Sequence, residues 1–142
     1  MTPAPARSLK DRRQPVAAMR KVHMPVDTAN PDLIYFEAHA LRQAHDFRAA
    51  LTRYGDFLAA VPAGSTHKAV LKALLASINC AEMLGDWAAM ERVCRRMLET
   101  FPDSVLGSLY LGESLISQGR HSEGFAALTR SLQLDQSNRA DG

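Results

Sequence analysis

The chain has 142 residues, 46% of them apolar and 23% charged, with a formal net charge of +2, which is enough material for one domain with a buried core. No stretch nears the ~20 uninterrupted apolar residues of a membrane-spanning helix, and MTPAPARSLKDRRQPV lacks the apolar block of a secretory signal, so a cytoplasmic location is expected. Cys80 and Cys94 fall inside apolar helical patterns without metal-ligand spacing, which predicts buried, reduced thiols.

Charge is unevenly spread. Up to Met24, Arg7, Lys10, Arg12, Arg13, Arg20 and Lys21 oppose only Asp11, so this stretch carries about +5 and the remainder about −3. Residues 1–29 also hold Pro3, Pro5, Pro15 and Pro25, which withdraw backbone donors and discourage a continuous helix. They read as a basic arm, with one short helical turn expected after Pro15, where Val16, Met19 and Val22 share a side. Such an arm suits nucleic acid or an anionic membrane surface through counterion release, an anchor on an acidic partner, or plain solvation. Solvation is favoured because the arm has no Phe, Tyr or Trp to stack on bases; nucleic acid and membrane stay open as disfavoured partners.

From Asn30 the punctuation changes. Asn30 is an N-cap residue type, Pro31 suits a first helical turn, and Ile34, Ala38 and Leu41 follow at helical spacing. A first helix is expected to about Ala44. After His45 and Asp46 a second stripe runs through Phe47, Ala50, Leu51, Tyr54, Phe57, Leu58 and Val61 and stops before Pro62. The same grammar recurs: a helix to Leu84, a Gly85-Asp86 turn, then Met90, Val93, Cys94, Met97 and Leu98 up to Pro102. Asp103 or Ser104 next caps a helix through Leu109 and Leu115, Gly119 breaks it, and Phe125, Leu128 and Leu132 form the last stripe. Six helices in three hairpins are predicted, and no β-type alternation competes.

The second and third hairpins superpose at an offset of about 34 residues, with Gly85 over Gly119, Trp87 over His121, Cys94 over Leu128 and Leu98 over Leu132. Residues 105–138 carry Leu111-Gly112, Leu115, Gly119, Gly124, Leu128 and Ser131. Residues 71–104 carry Ala81, Gly85, Trp87, Met90, Cys94, Met97 and Pro102. Residues 31–64 carry Ala38, Leu41, Phe47, Ala50, Tyr54 and Pro62, followed by an extra STHKAV at 65–70. On these residues the chain resembles a tetratricopeptide repeat protein with three degenerate repeats. The departures are Ser77-Ile78 in place of the Leu-Gly pair, Met90 at a small-residue site and Gln136 where the last Pro would stand. The resemblance implies an all-α, right-handed solenoid of helical hairpins over residues 30–138, with 139–142 as a tail. A single hairpin cannot bury both sides of its helices, so neighbours must share a core, and about three units is the usual minimum.

In the resembling family the first helices line a concave face. Carried over, its groove-facing places fall on Tyr35, His39 and Arg42, then on Lys72, Leu75, Asn79 and Met83, then on Leu106, Leu109, Tyr110, Glu113 and Ile116. Mixed apolar and polar side chains in a concavity suit an extended or helical peptide. The cationic clamp by which some family members hold chaperone C-termini is not reproduced, since Ala76, Leu106 and Tyr110 occupy its places. Trp87 reads as core, because the equivalent Phe47 is also aromatic. His39 and His45 lie on different sides of a helix, with no carboxylate or cysteine completing a zinc set. No nucleophile elbow, phosphate loop or carboxylate pair appears, so neither an enzyme nor a cofactor is expected.

Only SNRADG follows the last stripe, whereas a solenoid usually ends in a polar capping helix. Phe125 and Leu132 are therefore expected on an uncovered assembly face, to be met by a second copy, the arm or a larger partner. The expected function is a bacterial-type adaptor or scaffold that holds a partner's peptide in its groove. A small secretion-type chaperone and a self-assembling structural subunit are the alternatives.

Overall fold

Local capping chemistry sets where each helix begins. The computed structural model describes residues 30–141, and these form six α-helices: α1 (Pro31–Gln43), α2 (Phe47–Ala60), α3 (Lys68–Leu84), α4 (Trp87–Thr100), α5 (Val105–Ser117) and α6 (His121–Asp141). No strand occurs among the described residues, so the all-α expectation holds. The expected turn after Pro15, like the rest of the arm, lies outside them. The Asn30 side chain accepts from the Asp32 amide at 3.1 Å, Asp46 from Ala49 at 3.4 Å and Asp86 from Ala89 at 3.0 Å. Ser104 Oγ accepts from Gly107 at 2.9 Å, which decides between the two residues proposed for that cap.

The three helix reversals close in one way. His45, Gly85 and Gly119 all take the left-handed backbone, with φ of 63°, 66° and 82°. The next amide then reaches back across the turn: Asp46 N–H donates to the Leu41 carbonyl, Asp86 to Ala81 and Arg120 to Leu115, each at 2.9 Å. This long backward bond satisfies a carbonyl that the end of a helix would otherwise leave open. Only His45 lacks the glycine that makes this conformation easy; its ring lies flat beside Phe47, centroids 5.4 Å apart.

Each helix packs against the one before it and the one after it in the chain. One apolar core runs from Ile34 in α1 to Leu115 in α5. The central α3 is buried around most of its circumference, through Val70, Ala73, Leu74, Ala76, Ile78, Cys80 and Ala81, because it has neighbours on both sides. α5 and α6 make the most intimate contact and α3 and α4 the least. The reason is side-chain volume at the crossings. A Cβ on Gly112 would sit 2.9 Å from the Gly124 carbonyl oxygen, and one on Gly124 would sit 2.5 Å from Ile116 Cγ1. The equivalent places in α3 and α4 hold Ile78 and Met90, both fully enclosed, and these keep the two backbones apart.

Polar ties join successive hairpins at their edges. Arg48 on α2 pairs with the capping Asp86 at 2.9 Å, and Arg96 on α4 donates to the Leu58 carbonyl at the end of α2 at 2.6 Å. Glu91 on α4 accepts from Gln118 at 3.0 Å and Arg120 at 2.8 Å; the Gln118 bond first, and Arg95 and Arg120 with it, holds the Glu91 carboxyl below its usual range.

Two boundaries differ from the sequence reading. The extra STHKAV is not all connection, since Lys68, Ala69 and Val70 form the first turn of α3, capped by His67 Nδ1 accepting from Ala69 at 3.1 Å. Residues 139–141 are no separate tail, since α6 runs through Asp141.

Two substitutions separate conformational from steric demands. Gly85→Val meets no neighbour yet forces a β-branched residue into the left-handed region, and should cost about 1–2 kcal/mol in urea unfolding. Gly124→Ala improves helix propensity but drives a methyl into Ile116 and the α5 backbone, and should cost about 1–3 kcal/mol. A neutral or stabilising Gly124→Ala would contradict the close α5–α6 crossing.

Candidate binding groove

A helix repeats its surface every three to four residues, so Tyr35, His39 and Arg42 stand in one row on α1. Lys72, Leu75, Ala76 and Asn79 form the matching row on α3. The two rows face each other across a groove of about 410 Å³. Ala76 is the one small residue among them, and its lack of a longer side chain leaves the groove open between Leu75 and Asn79.

The α1 wall is held by aromatic packing from beneath. Tyr35 meets Phe57 edge-on at 5.3 Å and Tyr54 at 5.9 Å, both from α2, while its ring lies parallel to His39 at 6.5 Å. These contacts fix the Tyr35 ring before any ligand arrives. Arg42 donates to the Asn79 side-chain oxygen at 3.3 Å and so ties the α1 wall to the α3 wall. Below it, burial pushes the Tyr54 phenol up while Arg42 pulls it the other way. The same balance leaves the buried Cys80 thiol at about 11.

A second depression of about 350 Å³ adjoins the first and shares Tyr35 and Lys72 with it. Its remaining lining comes from Asp32 and Phe36 on α1, Phe57 on α2, and His67, Lys68 and Ala69 at the start of α3. Sequence reasoning assigned none of these to a site. Phe36 was hidden by standing one residue off the groove stripe, and Phe57 by belonging to a second helix. The only advance signal was the adjacent aromatic pair Tyr35-Phe36.

Of the twelve residues carried over from the resemblance, six line this groove: Tyr35, His39, Arg42, Lys72, Leu75 and Asn79. The other six lie elsewhere. Met83, Leu106 and Leu109 are exposed, and Tyr110 packs against the core. Glu113 is partly buried, and burial first and Glu82 second hold its carboxyl above the usual range. Ile116 departs from the groove assignment, because its side chain lies against Gly124 and is committed to the α5–α6 crossing.

On α6, Phe125 is 58% and Leu132 59% exposed, while Gly124, Ser131 and Leu134 are buried. At the other end of the described helices, α1 exposes Leu33 at 44% and Phe36 at 66%. The arm cations Arg7, Lys10, Arg12, Arg13, Arg20 and Lys21 lie outside the described residues. A buried cation escaped the sequence reading altogether: Arg53 on α2 is 3% exposed and bridges Glu37 at 3.2 Å and Asp56 at 2.7 Å.

Cys80 and Cys94 are buried and unbridged, and burial pushes the Cys94 thiol to about 12. Among the described residues, no group of three or more His, Cys, Asp or Glu could hold a metal ion, and no helix is long and apolar enough to cross a membrane. Comparison of the chain with protein-family models and with curated proteins finds no match, so the functional reading rests on the geometry.

Proposed function

We propose that the chain is a protein–protein interaction adaptor of the tetratricopeptide-repeat kind. In this reading its three hairpins stack as a right-handed solenoid, and a segment of a partner protein lies in the groove between α1 and α3. The observation that carries the proposal is the convergence of Tyr35, His39 and Arg42 with Lys72, Leu75 and Asn79 on one open concavity. A rigid aromatic ring beside aliphatic surface and several hydrogen-bonding tips is what an extended peptide needs, since it presents backbone polar groups and alternating side chains together. The identical closure of three successive turns supports the repeat reading.

The test uses a partner captured by the wild-type chain and then measured with purified components. Leu75→Ala and Tyr35→Ala should each weaken binding at least about tenfold, ~1.4 kcal/mol, with helicity by circular dichroism retained. Unchanged affinity in both would remove the groove as the site.

Exposed apolar residues at both ends of the stack favour a second reading, in which copies join head to tail. The α6 face with Phe125 and Leu132 would meet the α1 face with Leu33 and Phe36 of the next copy, a heterologous contact that can propagate. Light scattering over a wide concentration range should then show a mass that rises with concentration for wild type and stays monomeric for Phe125→Glu. A wild-type monomer throughout would reject this reading.

A further inference from the structure

The groove and the depression beside it are lined mostly by cationic and aromatic side chains. The groove walls carry Arg42, Lys72 and His39, and the adjoining depression adds Lys68 and His67. Among the described residues neither Lys68 nor Lys72 is in an ion pair. The floor between these cations is aromatic, with Phe36 widely exposed and packed edge-on to Tyr35 at 6.0 Å. Asp32 is the one carboxylate in the lining of either depression.

Resting on the adaptor reading above, we infer that this site selects a short acidic segment of another protein that carries one large apolar or aromatic side chain. The carboxylates sit over Lys72 and Lys68, and the apolar side chain packs on the exposed Phe36 beside Phe57. Exposed lysines add little affinity singly, so their role is to steer and select, while burial on the aromatic floor supplies the hold. We take the occupant to be another protein because the charge of the chain's own residues up to Met24, six basic against one acidic, does not complement these cations. Nucleic acid fits less well, because a phosphate backbone needs an extended run of cations, and here Arg42, Lys68 and Lys72 are the only Lys or Arg in the two linings.

The experiment pans a phage-displayed library of short random peptides against the full chain and measures the enriched sequences as synthetic peptides by fluorescence anisotropy. The expected outcome is enrichment of Asp and Glu beside Phe, Trp or Leu. Such a peptide should bind Lys72→Glu at least about tenfold more weakly than wild type, lose affinity as salt rises, and resist competition by oligo-dT. Lys72 is exposed, so the variant should fold as wild type does by circular dichroism. Enriched sequences that are neutral or basic, equal binding by Lys72→Glu, or full competition by oligo-dT would overturn the acidic selectivity. A neutral peptide whose binding is lost in Leu75→Ala would overturn that selectivity and leave the groove standing. A selection with no enriched sequence, or peptides indifferent to both Leu75→Ala and Lys72→Glu, would overturn the groove as well.

Discussion

Every reversal of the chain from a first helix to its partner passes through one left-handed residue, and the placement of everything else follows from that geometry. A left-handed step at His45, Gly85 and Gly119 lets the next amide bond back to Leu41, Ala81 and Leu115, which ends the helix and turns the chain within two or three residues. The connection is then too short for the second helix to go anywhere but back along the first. Buried stripes at helical spacing do the rest, because each hairpin still has an uncovered apolar side that only the next hairpin can close.

The groove is a by-product of that stacking. α2 lies against both α1 and α3, and its Tyr54 and Phe57 support Tyr35 from below. With α2 packed against both, the Arg42–Asn79 bond ties α1 to α3, and a concavity of about 410 Å³ remains between their facing rows. The walls therefore inherit their rigidity from the core, which lowers the conformational entropy a ligand must offset on binding. The close α5–α6 crossing is built differently: Gly112 and Gly124 let the two helices approach, and Ile116 lies against Gly124 there.

Much of the fold was legible because its determinants are local. Asn30, Asp46, Asp86 and Ser104 each cap a helix with their own side chain, and Pro62 and Pro102 mark ends, so the boundaries could be read within a residue or two. The α1 and α3 walls were legible for a related reason: a helical row at three- and four-residue spacing survives whatever lies around it. What could not be read depended on three-dimensional encounters. The orientation of Ile116 depends on how closely α6 approaches, which Gly124 decides from eight residues away. Arg53 interrupts an apolar stripe, and nothing local announces its burial, which Glu37 from α1 makes tolerable. Phe36 entered the site from a flank of α1 because α3 begins a turn earlier than the repeat alignment implied, placing Lys68 and Ala69 opposite it.

The measurement that tests the account most directly is native-state hydrogen exchange along the whole chain. If helices are held only by their sequence neighbours, protection should be greatest in α3 and α4 and fall off toward α1 and α6, with the outer hairpins opening at lower cost than the centre. Uniform protection across all six helices, or a maximum in α1 or α6, would contradict nearest-neighbour stacking and with it the groove that the stacking creates.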